Sequence, residues 1–594
     1  MFARARRASL ALFSAAALGK AALTTLNDDW DDVAYAASRL PQRALALALG
    51  PASSSSSSPS ARRKPRVVVL GSGWGALSFI RKLDQDAVDL TIVSPRPFFF
   101  YTPLLAGTAT GTVSHGSIVE PIRWYCERAG HGGAAYVQAE VADIDPAAKR
   151  VTCAITSAAA AAGPAAADTL ALEYDYLVVA VGAEPATFGI PGVREHARFI
   201  KEVEDGIAIQ RELLQKLELA SALEAAAAAQ PARAPALRAE VARLLSWVVI
   251  GGGPTGVELT AELTDFLRAD VARYFPALAP RVRVTLVEAA DRLLGVFDPA
   301  LSASAAAALA RLGAVTATNT AVTRITAEAV EVKTLRGEGA GSARAIPYGT
   351  VVWAGGIARR PIVAALAQRL DPAGAAQTSR HGLVVDPWLR VTGSGSGAGG
   401  AGEHCVFALG DCAVSGCAPT AQAAVQQGRF LGRAFRDALP ALATEQDPSA
   451  PIELRLRPVD AFAFQPRGAL AYTGGGTGVA ELKNLWDVYP AAAAGSGGGG
   501  AGSGSAQHAA KGASGTTTIV DGTPAFAIWR SLYFSSILST SNQARVLFDW
   551  AMAALFGRDI STPFLEGSRR VGSGGSGSSS GSGAPPALPP VAPA

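Results

Sequence analysis

Cysteine is scarce in this chain, with five thiols among 594 residues. That excludes a small secreted module stapled by disulfides, which needs a dense cysteine framework. Basic blocks are missing too. The formal net charge is only +4 and is not gathered into one segment, so an electrostatic nucleic-acid binder is disfavoured. Charged residues make up 17% and hydrophobic residues 49%, which excludes a wholly disordered chain. No stretch of the body holds ~18 apolar residues free of charges and breakers, the length a bilayer span requires. The six histidines offer no evident acid–base pair; His404, just before a Gly-Asp strand, reads as structural.

At ~150 residues per domain the length allows about four domains, or fewer with insertions. Part of the apolar content is filler. The stretches 158–167, 225–229, 393–402, 491–505 and 572–594 are built from Ala, Gly, Ser and Pro and read as loop insertions or tails. The alanine-rich run 220–242 has helix as its alternative, because alanine has the best helix propensity. Residues 1–27 carry Arg4, Arg6, Arg7 and Lys20 and no acid. That composition predicts an organelle transit peptide, with a secretory signal as the competing reading. The serines at 53–58 follow as a linker.

Arg66-Val-Val-Val-Leu70 is a short β-branched run that leads into Gly71-Ser-Gly73-Trp-Gly75-Ala76 and then into apolar residues at helical spacing. Strand, glycine turn and helix in this order form a dinucleotide fingerprint, G-x-G-x-x-A. Gly71 permits the tight turn, Gly73 the approach of a pyrophosphate, and Ala76 close helix packing. The helix N-terminus supplies N–H groups to phosphates. The second strand, 89–93, ends in Ser94 where an acid usually meets the ribose.

A second fingerprint, complete in all three glycines, is Gly251-Gly-Gly253-Pro-Thr-Gly256, after the strand Trp247-Val-Val-Ile250. Its second strand, 283–287, closes on Glu288. The gap from Gly251 to Glu288 exceeds the usual ~20 positions, and an extended helix and loop across 266–280 accounts for it. A glutamate there accepts hydrogen bonds from ribose hydroxyls and repels a 2′-phosphate, so NADH is expected over NADPH. After each fingerprint comes an apolar strand ending in small residues, 174–182 and 350–356, and late in the chain Val406-Phe-Ala-Leu-Gly-Asp411 closes on Gly-Asp. The order predicts an α/β fold of two Rossmann-like dinucleotide-binding domains, an FAD domain interrupted by an NAD domain, with a C-terminal membrane-binding helical region.

Taken together, Val69-Leu-Gly-Ser-Gly-Trp-Gly-Ala76, Tyr101-Thr-Pro-Leu-Leu105, Ile118-Val-Glu-Pro121, the run 181–192, Gly251 to Glu258, Ala408-Leu-Gly-Asp411, Pro419-Thr-Ala-Gln422 and Gly468-Ala-Leu-Ala-Tyr472 resemble the type II, or alternative, NADH:quinone oxidoreductases, and their mitochondrial members in particular. The resemblance covers roughly 66–559. It implies a single-subunit, non-proton-pumping enzyme that passes a hydride from NADH to non-covalent FAD and two electrons on to a membrane quinone. Gly71, Gly73, Trp74, Gly75, Ser94, Thr102, Gly410 and Asp411 would bind FAD. Gly251, Gly253, Gly256, Glu288, Gly355 and Gly356 would bind NADH. Gln422 and Gln426, four apart on one helix face, would face the quinone. The family has a serine where Ser94 stands. Two departures are Val425, a histidine in some relatives, and Ala354-Gly-Gly356, usually Ala-Thr-Gly. No protein nucleophile, metal or EF-hand loop is expected.

Two rivals are kept. A sulfide:quinone oxidoreductase shares the fold but needs reactive cysteines; Cys412 and Cys417 show a C-x₄-C spacing in an unusual place. An NADH-sensing flavoprotein acting as a signalling partner would lack a quinone site. The apolar-aromatic region running from Phe526 to Phe556, with Arg530 and Arg545 inside it, reads as a pair of interfacial helices on a membrane surface, with a dimer interface as the alternative or accompanying role. The divisions expected are 1–63 transit peptide and linker, 64–200 and 376–445 the two parts of the FAD domain, 201–375 the NADH domain, 446–562 the membrane-anchoring and dimerisation domain, and 563–594 a disordered tail. The mitochondrial inner membrane is the expected location, a plastid membrane the alternative.

Overall fold

The computed structural model describes residues 64–126, 134–155, 168–337, 339–393, 405–444, 461–483, 509–511 and 516–561. The expected transit peptide, linker and tail, most of the other low-complexity stretches, and His404 lie outside these residues.

The chain opens with β1 (Arg66–Leu70), turns at the first glycines into α1 (Trp74–Lys82), and continues through β2 (Asp89–Val93), β3 (Ala135–Val137) and β4 (Tyr176–Val179). It then enters the inserted domain. There β5 (Arg198–Phe199) precedes α2 (Val203–Ala229), β6 (Ser246–Ile250), α3 (Pro254–Phe266), β7 (Arg283–Val287), β8 (Val315–Ala317) and β9 (Thr350–Trp353). The return to the first domain brings β10 (Val406–Ala408) and α4 (Ala421–Thr444). Each domain has a five-stranded parallel sheet, ordered β10–β4–β1–β2–β3 in the first and β5–β9–β6–β7–β8 in the second. Central strands of this kind are apolar on both faces because helices cover both sides, and Val67, Val69, Leu70, Val248 and Val249 are accordingly buried. An antiparallel pair, Ala183–Pro185 with Ile357–Arg359, carries the two crossings between domains.

One composition reading is corrected. The alanines at 225–229 are not a loop; they complete α2, and Ala220 and Ala227 are buried where the helix Ala234–Leu244 folds back along it. Small side chains let two helices approach closely without giving up helix propensity.

Close approach also governs α1 and α4. A Cβ at Gly428 would lie 2.3 Å from the carbonyl oxygen of Gly75, and one at Gly432 would lie 2.7 Å from that of Phe79. Below this contact Phe435 meets Phe79, Tyr176 and Phe407 edge-on, with centroids 5.2–5.4 Å apart. The helix that opens the first fingerprint is therefore held in place by α4.

The C-terminal region holds the expected helix pair, α5 (Gly522–Ser536) and α6 (Thr540–Phe556), and also a sheet that the sequence reading does not foresee. Strands β11 (Gly468–Gly474), β12 (Thr477–Lys483), β13 (Ala509–Lys511) and β14 (Thr516–Asp521) form it in the order β11–β12–β14–β13. The aromatic content of α5 faces inward. Phe526 and Trp529 stack on Tyr472, Tyr533 meets Tyr101, and Phe534 meets Trp550. Of the two helices, it is α6 that presents large apolar side chains outward: Phe548, Met552, Leu555 and Phe556. Among the described residues no helix is long and apolar enough to cross a membrane.

Gly428→Ala should overpack the α1–α4 contact and cost about 1–3 kcal/mol. The check is the denaturant midpoint of the purified protein; an unchanged midpoint would show that the helices tolerate separation.

Candidate active site

The carboxyl ends of the first sheet border a cleft of about 1080 Å³. Gly71 turns there at φ +116°, and a Cβ on it would lie 2.3 Å from the carbonyl oxygen of Ala180, so no other residue fits. Gly73 has nothing within 4 Å of its Cβ position, which leaves a bare backbone facing the cleft at the N-terminus of α1. Every residue the sequence assigns to FAD lines this cleft: Gly71, Gly73, Trp74, Gly75, Ser94, Thr102, Gly410 and Asp411. Several are already cross-linked. The Ser72 and Ser94 hydroxyls lie 3.0 Å apart, and the Trp74 indole N–H donates to the Thr102 hydroxyl at 3.0 Å. Lys201 Nζ reaches Asp411 at 3.3 Å. Glu202, which caps α2, takes both Arg96 and Arg360 and so ties the two domains together at the rim.

The second glycine turn repeats the first. Gly251 has φ +108°, with its Cβ position 2.5 Å from the carbonyl oxygen of Ala354, and a Cβ on Gly256 would meet the Gly251 carbonyl oxygen at 1.8 Å. Gly253 is open. Glu288 stands at the end of β7; its carboxylate accepts the backbone N–H of Gly252 and, at 2.7 Å, that of Ala290. Gly355 and Gly356 follow β9, Gly356 with φ +117° beside Phe188. These residues do not line the large cleft, but Thr255 and Glu258 of α3 do. The two fingerprints thus converge, with the second site leading into the first.

The glutamines are placed differently from the expectation. The Gln422 and Gln426 side-chain carbonyls accept the backbone N–H groups of Arg467 and Gln465, at 2.8 and 3.0 Å, and the Gln426 amide donates to the Gln465 carbonyl at 2.9 Å. They hold the segment before β11, and neither lines the cleft. It is the next residue, Gln427, that touches the Gly-Asp turn. Buried, it accepts from the Gly410 N–H at 2.7 Å and donates to Ser415 at 2.7 Å. Gln427, which the sequence reading did not single out, neighbours Gln426, and the helix does not reveal its rotation until it is packed.

The sequence reading missed the other half of the site. A second cavity, about 190 Å³, lies between α3, α5 and α6 and is walled by Tyr472, Phe526, Trp529 and Trp550. Ala106 and Glu258 line both this cavity and the large cleft. Glu258 is buried. Its Oε1 accepts the Trp529 indole N–H at 3.0 Å and the Tyr472 backbone N–H at 3.2 Å. Burial pushes its carboxyl up to about 8; these two hydrogen bonds oppose the shift and the nearby Glu262 adds to it. Both donors use Oε1, which leaves Oε2 as the oxygen able to carry a proton. The only sequence signal was a pair of acids, i and i+4, among the apolar and threonine residues of the helix.

The cysteines carry no redox pair. None of the five is in a disulfide; Cys412 is buried against the carbonyls of Val179 and Leu409, and burial pushes its thiol up to about 11. A thiol held protonated in this way is a poor nucleophile.

A carboxyl whose proton affinity is raised by folding takes up a proton as the chain folds. Its effect is absent below the unfolded carboxyl range and destabilises increasingly as pH rises toward 8. Glu258→Gln keeps the acceptor for Trp529 and removes this penalty. The variant should gain stability over the parent between pH 5 and 8, by roughly 1.4 kcal/mol per pH unit at most. Denaturation midpoints at the two pH values check this, and a difference that does not grow with pH would refute it.

The sequence profile of the pyridine nucleotide-disulphide oxidoreductases matches residues 65–428, and that of the NDH2 C-terminal domain matches residues 507–559. The chain is 34% identical over 512 residues to the mitochondrial external NADH-ubiquinone oxidoreductase 2 of Saccharomyces cerevisiae, with 84% of this chain and 82% of that one covered. It is 33% identical over 534 residues to the mitochondrial external alternative NADH-ubiquinone oxidoreductase of Yarrowia lipolytica, covering 85% and 81%. In fold it is similar to NDH2 from Plasmodium falciparum, at a TM-score of 0.66 and 22% identity over 84% of this chain and 100% of that one. The sulfide:quinone oxidoreductase of Aquifex aeolicus is a more distant fold neighbour, at a TM-score of 0.53 and 17% identity over 83% and 96%. The chain therefore belongs to the pyridine nucleotide-disulphide oxidoreductase family and, within it, to the mitochondrial NADH-ubiquinone oxidoreductases.

Proposed function

We propose that this chain oxidises NADH at the inserted domain and reduces a membrane quinone through the aromatic cavity under the C-terminal helices, with FAD in the large cleft between them. The observation that carries the reading is that Glu258 and Ala106 wall both cavities, so one thin partition separates the two places where electrons enter and leave. The relatives named above are NADH-ubiquinone oxidoreductases.

The cleft fits FAD. Its Gly71 turn and open Gly73 backbone admit a pyrophosphate at the α1 N-terminus, Ser94 stands where a ribose is met, and Gly410 and Asp411 flank the far end. When bound, FAD supplies the two-electron redox chemistry that no side chain here can. The protein's own residues do the remaining work. Gly251, Gly253 and Gly256 bare the backbone for NADH, and Gly355 and Gly356 close the strand end beside it. Glu288, held by two backbone N–H groups, is set to accept ribose hydroxyls and to repel a 2′-phosphate. Glu258 holds a proton on Oε2 at the partition, and reduction of a quinone to a quinol consumes two. Gln422 and Gln426 serve this route by fixing the segment that leads into Tyr472.

The quinone is lipid-soluble, and α6 supplies the contact with lipid. Phe548, Met552, Leu555 and Phe556 recur at i, i+4, i+7 and i+8 on one face and are exposed. An apolar helical face of this kind binds in the plane of a membrane interface. The location is the mitochondrial inner membrane, bound peripherally; the segment 1–63 is its transit peptide and linker. The same proposal divides the chain into 64–200 with 376–445 for FAD, 201–375 for NADH and 446–562 for the membrane, with pairing of two chains through the last region.

Stopped-flow spectroscopy of the FAD-loaded protein tests the route. NADH should bleach the flavin, a short-chain quinone should restore it, and NADPH should bleach slowly except in Glu288→Gln. Glu258→Gln should slow the quinone step about 100- to 10,000-fold, the size expected when a positioned proton donor is lost, and the NADH step less. Bleaching that quinone leaves unreversed would sink the oxidoreductase reading in favour of an NADH-sensing flavoprotein.

Phe548→Glu combined with Leu555→Glu should cut co-sedimentation with lipid vesicles several-fold, since two large apolar contacts are lost and each charge adds up to about 1 kcal/mol near a membrane interface. Unchanged sedimentation would move the lipid contact elsewhere.

A further inference from the structure

The chain leaves α6 through Gly557 at φ +94° and places Arg558 against the buried side of α3. A Cβ on Gly557 would sit 2.8 Å from Asp270 Oδ1, so the turn is built for glycine. Arg558 is extensively bonded there. Its Nη1 and backbone N–H reach Asp270 at 2.9 and 3.0 Å, its Nε donates to the Thr112 hydroxyl at 2.8 Å, and its Nη2 lies 3.4 Å from Glu262 Oε2. Glu262 Oε2 also accepts from Thr112 at 2.5 Å and Thr110 at 3.1 Å. This carboxylate is therefore fixed as an anion acceptor by three donors, one turn along α3 from Glu258. Arg558, Glu262 and Glu258 all line the aromatic cavity. Two carboxyls on one buried helix face do not both ionise readily unless a cation attends one of them.

We propose that Glu262 and Arg558 are positioning residues for Glu258: the anion at 262 holds a proton on the carboxyl that faces both cavities, and Arg558, inserted beside α3 by the C-terminal hairpin, offsets that anion and so sets the pH at which the proton leaves. The inference rests on the proton-holding role given to Glu258 above. The other groups facing Glu258 leave it this proton. Tyr101, Tyr472 and Tyr533 are pushed up by burial and stay neutral donors. Arg530, from α5, lies over the Trp550 ring at 4.1 Å to its centroid and also acts on Glu262, and every variant below leaves it in place. Asp265 is taken by the Tyr472 hydroxyl and the Gly475 N–H. The charge that differs between arrangements is thus the Glu262–Arg558 pair.

The signs follow from Coulomb attraction. Removing the anion at 262 makes a proton at 258 easier to lose; removing the cation at 558 makes it harder to lose. The test is a pH titration of the full-length FAD-loaded protein, followed two ways: by the carboxylic-acid carbonyl band in infrared difference spectra, assigned by its loss in Glu258→Gln, and by the alkaline limb of quinone-dependent turnover. Glu262→Gln should move both downward by about one pH unit, tenfold in proton affinity, the scale of one neighbouring charge. Arg558→Gln should move both upward. Arg558→Lys, which keeps the charge and is the safer variant for folding, should restore the parent position. A merely structural role would lower flavin content or amplitude and leave the titration where it was. An infrared titration unmoved in Glu262→Gln and Arg558→Gln, or moved the same way by both, overturns the pairing. If instead the infrared band moves as described while the quinone step ignores Glu258→Gln, the pairing stands and the proton role of Glu258 falls.

Discussion

Most of this molecule is arranged around one buried helix face. On α3, Glu258 and Glu262 are withdrawn from water, and burial of a carboxyl is costly unless its oxygens find donors. Those donors come from all over the chain: Thr110 and Thr112 from the first domain, Tyr472 from the C-terminal sheet, Trp529 from α5 and Arg558 from beyond α6. Replacing either acid by an apolar residue would strand the buried donors that now bond it. The acids are useful because their requirement for partners dictates where the C-terminal region must dock. The nucleotide-binding helix, whose N-terminus belongs to the second fingerprint, thereby becomes the floor of the cavity under the membrane-facing helices.

The parts legible in sequence are those where backbone sterics leave a single choice. Gly71 and Gly251 each pass within van der Waals range of a neighbouring strand's carbonyl with positive φ, and no other residue can stand there; the strand and helix around each followed from β-branched runs and apolar spacing. Glu288 was readable for a similar reason, since the end of a second Rossmann strand has a fixed relation to the first turn. Glu258 and Glu262 were visible as letters and invisible as a site, because an acid inside an apolar helix looks the same whether it faces solvent or a hairpin that returns more than 200 residues later, as Trp529 does. Gln427 shows a finer limit. It lies one residue from Gln426, yet one residue on a helix is about 100° of rotation, and only the packing of Gly428 and Gly432 on α1 decides which amide meets Gly410.

Composition misled in one direction and informed in another. Alanine-rich sequence looked like filler, and at 225–229 it is helix, since short side chains suit a helix that another helix lies along. The aromatic C-terminus looked like membrane surface, and on α5 it is core. Tyr472, Phe526, Trp529 and Tyr533 pack ring to ring around the cavity. Aromatics serve both purposes, with large apolar area and a polar edge, so their presence does not tell lipid from core.

The distinction lies instead in α6. Asn542, Val546 and Trp550, spaced by four, are buried against the body, while Phe548, Met552, Leu555 and Phe556 point away from it. A helix apolar on both sides is unstable in water on its outer side and has no reason to persist in a soluble monomer. Its outer face therefore needs a cover, and the membrane surface proposed above supplies one. The same stretch of chain runs from α6 through Gly557 into Arg558, whose side chain reaches Asp270 and Glu262. The exposed face of α6, the wall of the aromatic cavity and the cation beside α3 are thus consecutive features of one short run of chain.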